Sequence, residues 1–388
     1  MASDKISVLL GTTKGAFLLS GARQSEGWRI RGPFCNDWPI NHVIGDAESG
    51  MIWAGGGGEW FGAGLWRTPD MGETWENIRL TKGTMDDWAA NDPDFAQMIG
   101  WSPQELPFRD EFAQIWSLGH AHGTLYAGTR PANLLASRDG GLTWERVNGL
   151  TDHPSAESWN PGAAGLVLHS IVPSPKEPGK LWVAISAAGV FATEDGGDTW
   201  ERRNRLSNAE CAGHSDHPAA PAGGETGHCV HNMMRAPGGE DVLYQQNHHG
   251  VWRSGDGGRS WEDITEGLPS TFGFPIRVHP RDPGTIWTLP LNGDMQGRFP
   301  PGAAAAVWRS TDGGQSWEAL RNGLPQEGCF FTVLRQAMAG DAREPAGIYF
   351  GTNSGSVFAS FDEGENWHEI ARHLPTILSV EVLDRASA

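Results

Sequence analysis

The chain contains 388 residues, and its 29 Lys and Arg against 47 Asp and Glu give a formal net charge of -18. This acidic balance, with no long basic run, excludes a surface that follows a phosphate backbone and disfavours nucleic acid and anionic membranes as partners. The opening segment MASDKISVLLGTTKG lacks a basic region followed by a long apolar core, and no apolar stretch is long enough to cross a bilayer. We therefore expect a soluble, cytoplasmic protein.

Cysteine, glycine and tryptophan usage narrows the class of fold. The four cysteines are too few and too scattered for a disulfide scaffold, which predicts reduced thiols. The 53 glycines, 25 prolines and 19 tryptophans indicate many short strands and tight turns around a tryptophan-rich framework.

The two ends of the chain carry complementary strand patterns. Two alternating apolar segments in ISVLLGTTKGAFLLS (6–20) and a third in GWRIRGPF (27–34) are typical of strands two, three and four of a four-stranded sheet. The closing segment PTILSVEVL (375–383) is typical of a first strand with no sheet to follow it. We predict that both ends join in one sheet, which removes the exposed edges of an open arrangement.

Between these ends, one polar turn recurs six times. The copies include SRDGGLTW, SGDGGRSW and STDGGQSW, and they occupy residues 68–75, 137–144, 193–200, 254–261, 310–317 and 360–367. Their aspartates, at 70, 139, 195, 256, 312 and 362, fall 69, 56, 61, 56 and 50 residues apart. A period of this size indicates one supersecondary unit per repeat. Two short alternating segments before each copy predict strands two and three, so the turn leads into strand four.

The residue types in this turn suit a structural role. The aspartate can accept backbone N–H bonds across the bend, the glycine supplies a positive φ, and the tryptophan packs between neighbouring sheets. The pattern resembles the Asp-box, or BNR, repeat of sialidases, sortilin-type receptors and the photosystem II assembly factor. The resemblance covers nearly the whole chain and implies an all-β, seven-bladed β-propeller. We predict one domain over 1–388, with six Asp-boxes and a last blade in which the C-terminal strand joins the N-terminal strands.

The resemblance to sialidases also implies a tyrosine nucleophile, a glutamate partner and three arginines on the substrate carboxylate. The three tyrosines, Tyr126, Tyr244 and Tyr349, all occur at one repeated place in predicted strand two, in LYAG, LYQQ and IYFG. Because that place belongs to the core, none is expected to act as the nucleophile. The sialidase residues therefore cannot be carried over, and a glycosidase of sialidase type is disfavoured.

Loop lengths predict which face of the propeller carries the functional site. The boxes and the turns between strands one and two share one face, and these segments are short. On the opposite face, 80–114, 148–166 and 204–229 link blades and 291–305 is a long insert within a blade. Long loops on a rigid scaffold usually carry function, so we expect the site on the long-loop face.

Histidines are predicted to converge at that face. Alignment of the inner strands puts NHVI, IWSL, LHSI, VHNM and GFPI in register, with one polar or aromatic residue of each at the channel mouth. We predict that a divalent metal ion (Zn, Fe, Mn or Cu) is held by His42, His169, His231 and His248. Histidines that only bind water are the alternative. The segment 211–231 adds Cys211, His214, His217, His228 and Cys229, as either a metal loop or a polar lid.

Other side chains of the long-loop face complete the predicted site. We expect Glu59, Asp294 and Arg298 to be catalytic, and Trp60, Trp116, Trp159 and Arg130 to bind substrate. The tryptophans could stack on a sugar or aromatic ring, or form small cores within their own loops. The sequence thus predicts a metal-dependent enzyme with hydrolase, lyase or oxygenase chemistry on a small aromatic or sugar-like substrate. The alternative is a non-catalytic propeller that binds a protein partner as an assembly or scaffold factor.

Overall fold

A computed structural model describes residues 5–207, 220–238 and 241–384. These residues form seven antiparallel sheets of four strands each. The innermost strands of neighbouring sheets contact one another in a closed ring, in which the last sheet meets the first. The predicted seven-bladed β-propeller with six Asp-boxes is confirmed.

The sheets follow one another along the chain, and we number them as blades 1 to 7. The first three strands belong to blade 7 and are β1 (Lys5–Thr12), β2 (Gly15–Ala22) and β3 (Arg29–Phe34). Blade 1 consists of β4 (Ile40–Gly45), β5 (Ile52–Gly58), β6 (Gly62–Thr68) and β7 (Glu76–Arg79). Blade 2 consists of β8 (Gln114–Ala121), β9 (Thr124–Arg130), β10 (Leu134–Ser137) and β11 (Glu145–Arg146). Blade 3 consists of β12 (Val167–Pro173), β13 (Leu181–Ser186), β14 (Gly189–Thr193) and β15 (Glu201–Arg202).

The remaining blades repeat this plan. Blade 4 consists of β16 (Val230–Arg235), β17 (Leu243–Asn247), β18 (Gly250–Ser254) and β19 (Glu262–Asp263). Blade 5 consists of β20 (Gly273–Val278), β21 (Ile286–Pro290), β22 (Val307–Ser310) and β23 (Glu318–Leu320). Blade 6 consists of β24 (Met338–Gly340), β25 (Ile348–Gly351), β26 (Val357–Ser360) and β27 (His368–Ala371). Strand β28 (Ile377–Leu383) pairs antiparallel with β1 and completes blade 7, as predicted.

Short helices occur in the long connections. Helices α1 (Thr84–Asn91) and α2 (Pro93–Ile99) lie between blades 1 and 2, and α3 (Asn148–Thr151) lies between blades 2 and 3. Three-residue 3₁₀ turns occur at Ala156–Ser158, Asp294–Gln296 and Pro301–Ala303. In the described ranges no helix combines the length and apolar character that a bilayer span requires.

Tryptophans connect three of the blades to the blade that follows. In blades 1, 3 and 5 a strand-two tryptophan donates its indole N–H to a backbone carbonyl in the Asp-box of the following blade. The three bonds run from Trp53 to Gly140 (3.0 Å), from Trp182 to Gly257 (2.8 Å) and from Trp287 to Glu363 (3.0 Å). These indoles are almost fully buried, so they stabilise the ring by apolar burial and also fix the box turns in place.

The inner strands share an irregularity that decides which side chains face the axis. In blades 1 to 4 one residue near the start of the inner strand is left out of the pairing with strand two. The unpaired residues are Asn41, Trp116, His169 and His231. Such a bulge redirects one side chain out of the normal alternation.

Candidate functional site

The six Asp-boxes form hydrogen-bonded turns between strands three and four. In the box of blade 5, Ser310 Oγ and Ser316 Oγ donate to Asp312 at 2.8 and 2.6 Å, and the backbone N–H of Ser316 donates at 2.9 Å. The hydrogen bond from the Ser316 hydroxyl is the largest of several that lower the pKa of Asp312 from 3.8 to about 2. The carboxylate therefore stays ionised and accepts hydrogen bonds within the turn. This arrangement indicates a structural role for the box aspartates and not a catalytic one.

A cavity of about 340 Å³ opens at the other end of the axis, among the long loops. Its wall includes residues from the inner strands and strand-two-to-three turns of blades 3 to 6. We call it the axial cavity; its polar and aromatic lining includes Cys229, His231, His248, Phe272, Phe274, Asp294, Arg298 and Arg335. Its size lies within the range of small-molecule sites.

His231 is the most buried polar group of this wall. It is 2% exposed, and its Nδ1 lies 2.6 Å from the carbonyl oxygen of Gly273, so Nδ1 carries the proton and donates it. Nε2 is then an acceptor, and it lies 3.6 Å from the Sγ of Cys229. Burial holds the pKa of His231 well below 6.5, and the nearby charge of Arg335 lowers it further. The ring is therefore neutral and has a lone pair directed at the thiol.

Cys229 and His248 complete a compact group of donors. The backbone N–H of His248 donates to the carbonyl of Cys229 at 3.0 Å, which holds the strand-two-to-three turn of blade 4 beside the start of β16. The ligand atoms of Cys229, His231 and His248 all lie within 4.8 Å of one another. Burial raises the pKa of Cys229, so the thiol is protonated as long as no cation binds it.

Asp294 and Arg298 face this group from the long insert of blade 5. Asp294 Oδ2 lies 3.6 Å from His248 Nε2, and Asp294 Oδ1 accepts from Arg298 Nε at 3.0 Å. The insert is clamped at its base, because Asn292 accepts from the backbone N–H of Phe299 and returns a backbone bond to it. The predicted catalytic pair therefore lies beside two of the predicted metal ligands.

Comparison with known proteins matches the repeat and the fold. The model of the BNR/Asp-box repeat family matches residues 308–319. An oligoxyloglucan-reducing end-specific xyloglucanase of Emericella nidulans is 26% identical over 50% of this chain and 25% of its own length. A xyloglucanase of Hypocrea jecorina is 22% identical over 67% of this chain and 31% of its own length. The chain thus spans about a quarter to a third of the curated relatives that it matches.

A solved structure agrees with the fold. YCF48 from Cyanidioschyzon merolae superimposes with a TM-score of 0.51 over 85% of this chain and 86% of its own, at 13% identity. The chain is a seven-bladed β-propeller with six Asp-box turns. At this level of identity the likeness establishes architecture alone.

Two of the four predicted metal ligands of this Asp-box propeller lie in the axial cavity, and two do not. His231 and His248 lie together there, but His42 and His169 line a second cavity of about 580 Å³ towards the box face. In blade 1 the bulge residue is Asn41, so His42 corresponds to Ser117 in blade 2 and not to His231. Its Nδ1 accepts the backbone N–H of Leu118 at 2.9 Å, which fixes it between blades 1 and 2. The predicted register of His42 was wrong by one residue.

His169 does occupy the bulge position, yet it is not part of the donor group. It is 1% exposed, its Nδ1 lies 2.9 Å from the Ser170 hydroxyl, and its carbonyl accepts a bond from Gln336 of blade 6 across the axis. Burial holds the pKa of His169 well below 6.5. This neutral imidazole belongs to the wall of the channel.

The predicted substrate-binding residues lie outside the axial cavity wall. Trp159 packs against Phe191 of β14 at 5.2 Å and donates its indole N–H to Ser155 Oγ, so it fastens its own loop to blade 3. Trp116 is the bulge residue of β8, and Arg130 ends β9. Trp60 is 39% exposed and contacts Trp88 of α1 edge to face at 5.3 Å. These four residues do not form one surface with His231 in the part of the chain that the structure describes.

Glu59 is likewise separate from the donor group. It is exposed in the strand-two-to-three turn of blade 1, where its carbonyl accepts the backbone N–H of Thr84. Among the described residues that line the axial cavity, Asp294 is the only carboxylate. The three predicted catalytic residues therefore divide into Asp294 and Arg298 in the cavity and Glu59 outside it.

The tyrosines occupy the place that the sequence predicts, and the described cysteines have no disulfide partner. Tyr126, Tyr244 and Tyr349 lie in β9, β17 and β25, the second strands of their blades. Cys35, Cys229 and Cys329 are free thiols. Cys211, His214 and His217 of the predicted metal loop or lid lie outside the described residues, whereas His228 lines the cavity and pairs with Glu225 at 2.8 Å.

Arg335 is the cavity residue that sequence reasoning missed. It precedes β24 in a segment without a repeat pattern, so the alignment of inner strands passed over blade 6. Its guanidinium lies 5.1 Å from the centroid of the Phe274 ring. A cation next to an inner strand of a strongly acidic chain was the available signal.

Proposed function

We propose that this Asp-box propeller is a metal-dependent enzyme in which Cys229, His231 and His248 hold a divalent cation in the axial cavity. The observation that carries the proposal is that the three ligand atoms lie within 4.8 Å of one another. Donor atoms around a tetrahedral zinc ion are about 3.5 Å apart, given bonds of about 2.0 to 2.3 Å. A small closure of side chains is therefore enough to bind an ion, and Asp294 is available beside His248.

The hydrogen bonding around His231 supports this role. A metal-binding histidine usually donates its other ring N–H to a carbonyl or carboxylate, which fixes its tautomer and orientation. Here Nδ1 donates to the carbonyl of Gly273, and Nε2 lies towards Cys229. Because the imidazole is held neutral by burial, no proton competes with the cation for Nε2 at neutral pH.

The donor set favours particular metals and particular chemistry. A thiolate with two imidazoles suits zinc or iron better than magnesium or manganese. Such an ion would polarise a substrate oxygen or activate water or dioxygen, in a hydrolase, lyase or oxygenase reaction. The aromatic rings of Phe272 and Phe274 provide an apolar wall for a small aromatic or sugar-like substrate.

Metal analysis of tag-free protein tests the proposal. We expect about one zinc or iron per chain, with an affinity that falls more than about a hundredfold in Cys229→Ser and His231→Ala. His122→Asn is the matched control, because His122 lies in a turn on the box face with a φ of 51°, which Asn tolerates. Metal content that is substoichiometric, or equal in all four proteins, would overturn the proposal.

Glycoside hydrolysis is the second candidate function, supported by the two xyloglucanases among the relatives. Such enzymes use a pair of carboxylates about the scissile bond. Glu59 and Asp294 are the predicted acids on the long-loop face. Release of reducing ends from xyloglucan that persists after chelation and is lost in Glu59→Gln would favour this function over the metal-dependent one.

A binding role is supported by a different surface. Trp60, Trp88 and Met98 are 39%, 58% and 73% exposed around helices α1 and α2. Clustered exposed apolar side chains often mark sites of protein contact. A metal-free propeller that retains its fold and has no turnover would favour this alternative, in which the long-loop face docks a protein partner.

A further inference from the structure

Arg335 presents a cation to the axial cavity without an anion to balance it. Its guanidinium Nε is buried and has no hydrogen-bond partner. Among the described residues no carboxylate oxygen lies within 4.0 Å of its nitrogens. Burial lowers the pKa of Arg335 below its usual value. Arg335 is half-buried, and a cation that is partly removed from water without a paired anion is costly, so the position destabilises the protein when no ligand is bound.

The neighbouring groups do not supply the missing charge. Asp294 is engaged by Arg298 through both Nε, at 3.0 Å, and Nη2, at 2.9 Å. The described cavity wall therefore carries two guanidinium groups against one carboxylate, in a chain whose net charge is -18. A bound divalent cation with a Cys229 thiolate would leave the wall more positive still.

The aromatic wall adds an observation about the shape of the ligand. Arg335 lies over the Phe274 ring at 5.1 Å, and Arg298 lies 5.9 Å from the same ring and 6.0 Å from the Phe272 ring. Both guanidinium groups therefore lie over aromatic rings. The Nε and Nη2 edge of Arg298 is occupied by Asp294, whereas Arg335 has no carboxylate partner among the described residues. An arginine fork matches the two oxygens of a carboxylate.

Arg298 is also held in a strained backbone conformation. Its φ is 55°, a left-handed value that non-glycine residues rarely adopt. Its carbonyl accepts a hydrogen bond from Thr332 Oγ1 at 2.7 Å, which ties the insert of blade 5 to the segment before β24. Strain of this kind is typical of functional sites, and here it brings Arg298 to the cavity that Arg335 lines.

We propose that the axial cavity binds a small organic carboxylate, with its two oxygens on the guanidinium of Arg335 and with Arg298 as the second cation. This deepens the proposed function and rests on it, since the carboxylate would anchor a substrate whose reacting group meets the metal. The volume of about 340 Å³ and the Phe272 and Phe274 rings restrict the ligand to a small molecule with an apolar or aromatic body.

Calorimetric titration with benzoate, benzamide and inorganic phosphate tests the proposal. Benzamide matches the shape of benzoate without its charge. Each probe is titrated into chelator-treated and into metal-loaded protein, so that loss of the metal site and loss of the anion site are distinguished. The variants are Arg335→Met, Arg335→Lys and the control Arg277→Met. Arg277 also has a buried Nε, but it lines the second cavity, of about 580 Å³, towards the box face.

We expect benzoate to bind at least about tenfold more tightly than benzamide, in both metal states. Arg335→Met should lower benzoate affinity by about tenfold or more, Arg335→Lys should lower it less, and Arg277→Met should leave it unchanged. Removal of the unpaired cation in Arg335→Met should also raise the unfolding temperature of the unliganded protein.

Four outcomes would overturn the carboxylate assignment. The first is equal affinity for benzoate and benzamide, and the second is benzoate binding that Arg335→Met does not weaken. Tighter binding of phosphate than of benzoate would assign the cavity to phosphorylated ligands. Failure of both Arg335 variants to fold would assign Arg335 to the structure of the ring. Benzoate binding without any metal retention would sustain the anion site and contradict the proposed metal-dependent function.

Discussion

Polar side chains are ionised and hydrogen-bonded in the Asp-boxes, but they are buried and neutral along the axis of the propeller. In the boxes each carboxylate accepts several hydrogen bonds near the surface, and the pKa of Asp70, Asp195 and Asp312 is lowered to about 2. Along the axis the imidazoles of His42, His169 and His231 are buried and kept neutral. The repeated aspartates therefore stabilise the fold. Polar groups that lack hydrogen-bond partners lie along the axis instead, where a bound ligand can supply those partners.

The largest expected effect comes from a buried imidazole. Burial lowers the pKa of His42 from 6.5 to about 4, so the unfolded chain takes up this proton first as the pH falls. The stability from this group is present above pH 6.5 and is lost towards pH 4, on the order of 3 kcal/mol in all. Urea unfolding at both pH values should therefore show a smaller loss of stability for His42→Gln than for the wild type. An identical loss in the two proteins would contradict this account of the axis.

A glycine substitution compares the backbone of the two regions. In the box of blade 5, Gly314 has a φ of +96°, and an added Cβ would lie 2.4 Å from Ile264 Cδ1 and 2.7 Å from Ile264 Cβ. Gly314→Ala should cost about 2 kcal/mol. The control is Gly293→Ala in the cavity loop, where φ is -65° and nothing lies within 4 Å of the added atom. Equal unfolding temperatures for the two variants would contradict the expectation that the box turn tolerates an added Cβ less well than the cavity loop does.

Removal of an acid from each region separates stability from function. Asp256 accepts from Ser254 Oγ at 2.7 Å, Ser260 Oγ at 2.7 Å and the Ser260 N–H at 2.9 Å, so Asp256→Ala should cost about 1 kcal/mol. Asp294→Ala should weaken metal retention, which Asp256→Ala should leave unchanged. Chemical denaturation and metal analysis of both variants measure the two effects. The comparison fails if Asp256→Ala loses metal as readily as Asp294→Ala does.

The smallest effect is expected on the exposed aromatic surface. Trp88 is 58% exposed on α1, so Trp88→Ala should change the free energy of unfolding by less than about 0.5 kcal/mol. Denaturant titration measures it. A loss above about 1 kcal/mol would mean that α1 and α2 belong to the folded framework and are not a separate docking surface.

The fold was predictable from the sequence because the box repeats its residue types at a regular spacing. Turn chemistry, strand alternation and the pairing of the two chain ends all indicate the same seven-bladed ring, and the structure has it. The site was harder to predict from the sequence than the fold. His231, His248, Asp294 and Arg298 lie together in the axial cavity, but a bulge that periodicity does not reveal turns His42 away from it.

The remaining cavity residues depend on contacts between distant loops. Arg335 comes from an irregular segment of blade 6 and meets Phe274 of blade 5 only in the folded ring. Trp159 has the residue type and loop position of a substrate-stacking group, yet its indole packs against Phe191 of β14 and donates to Ser155 of its own loop. Sequence spacing carries no information about such partners.

The bulge of the inner strands has a consequence for how propellers of this kind diversify. In each of blades 1 to 4 it takes one side chain out of the alternation, while the residues before and after it keep their pairing with strand two. A blade can therefore exchange the group that it presents at the axis, as Asn41, Trp116, His169 and His231 illustrate, without repacking its neighbours. New chemistry can then arise one blade at a time on an unchanged ring.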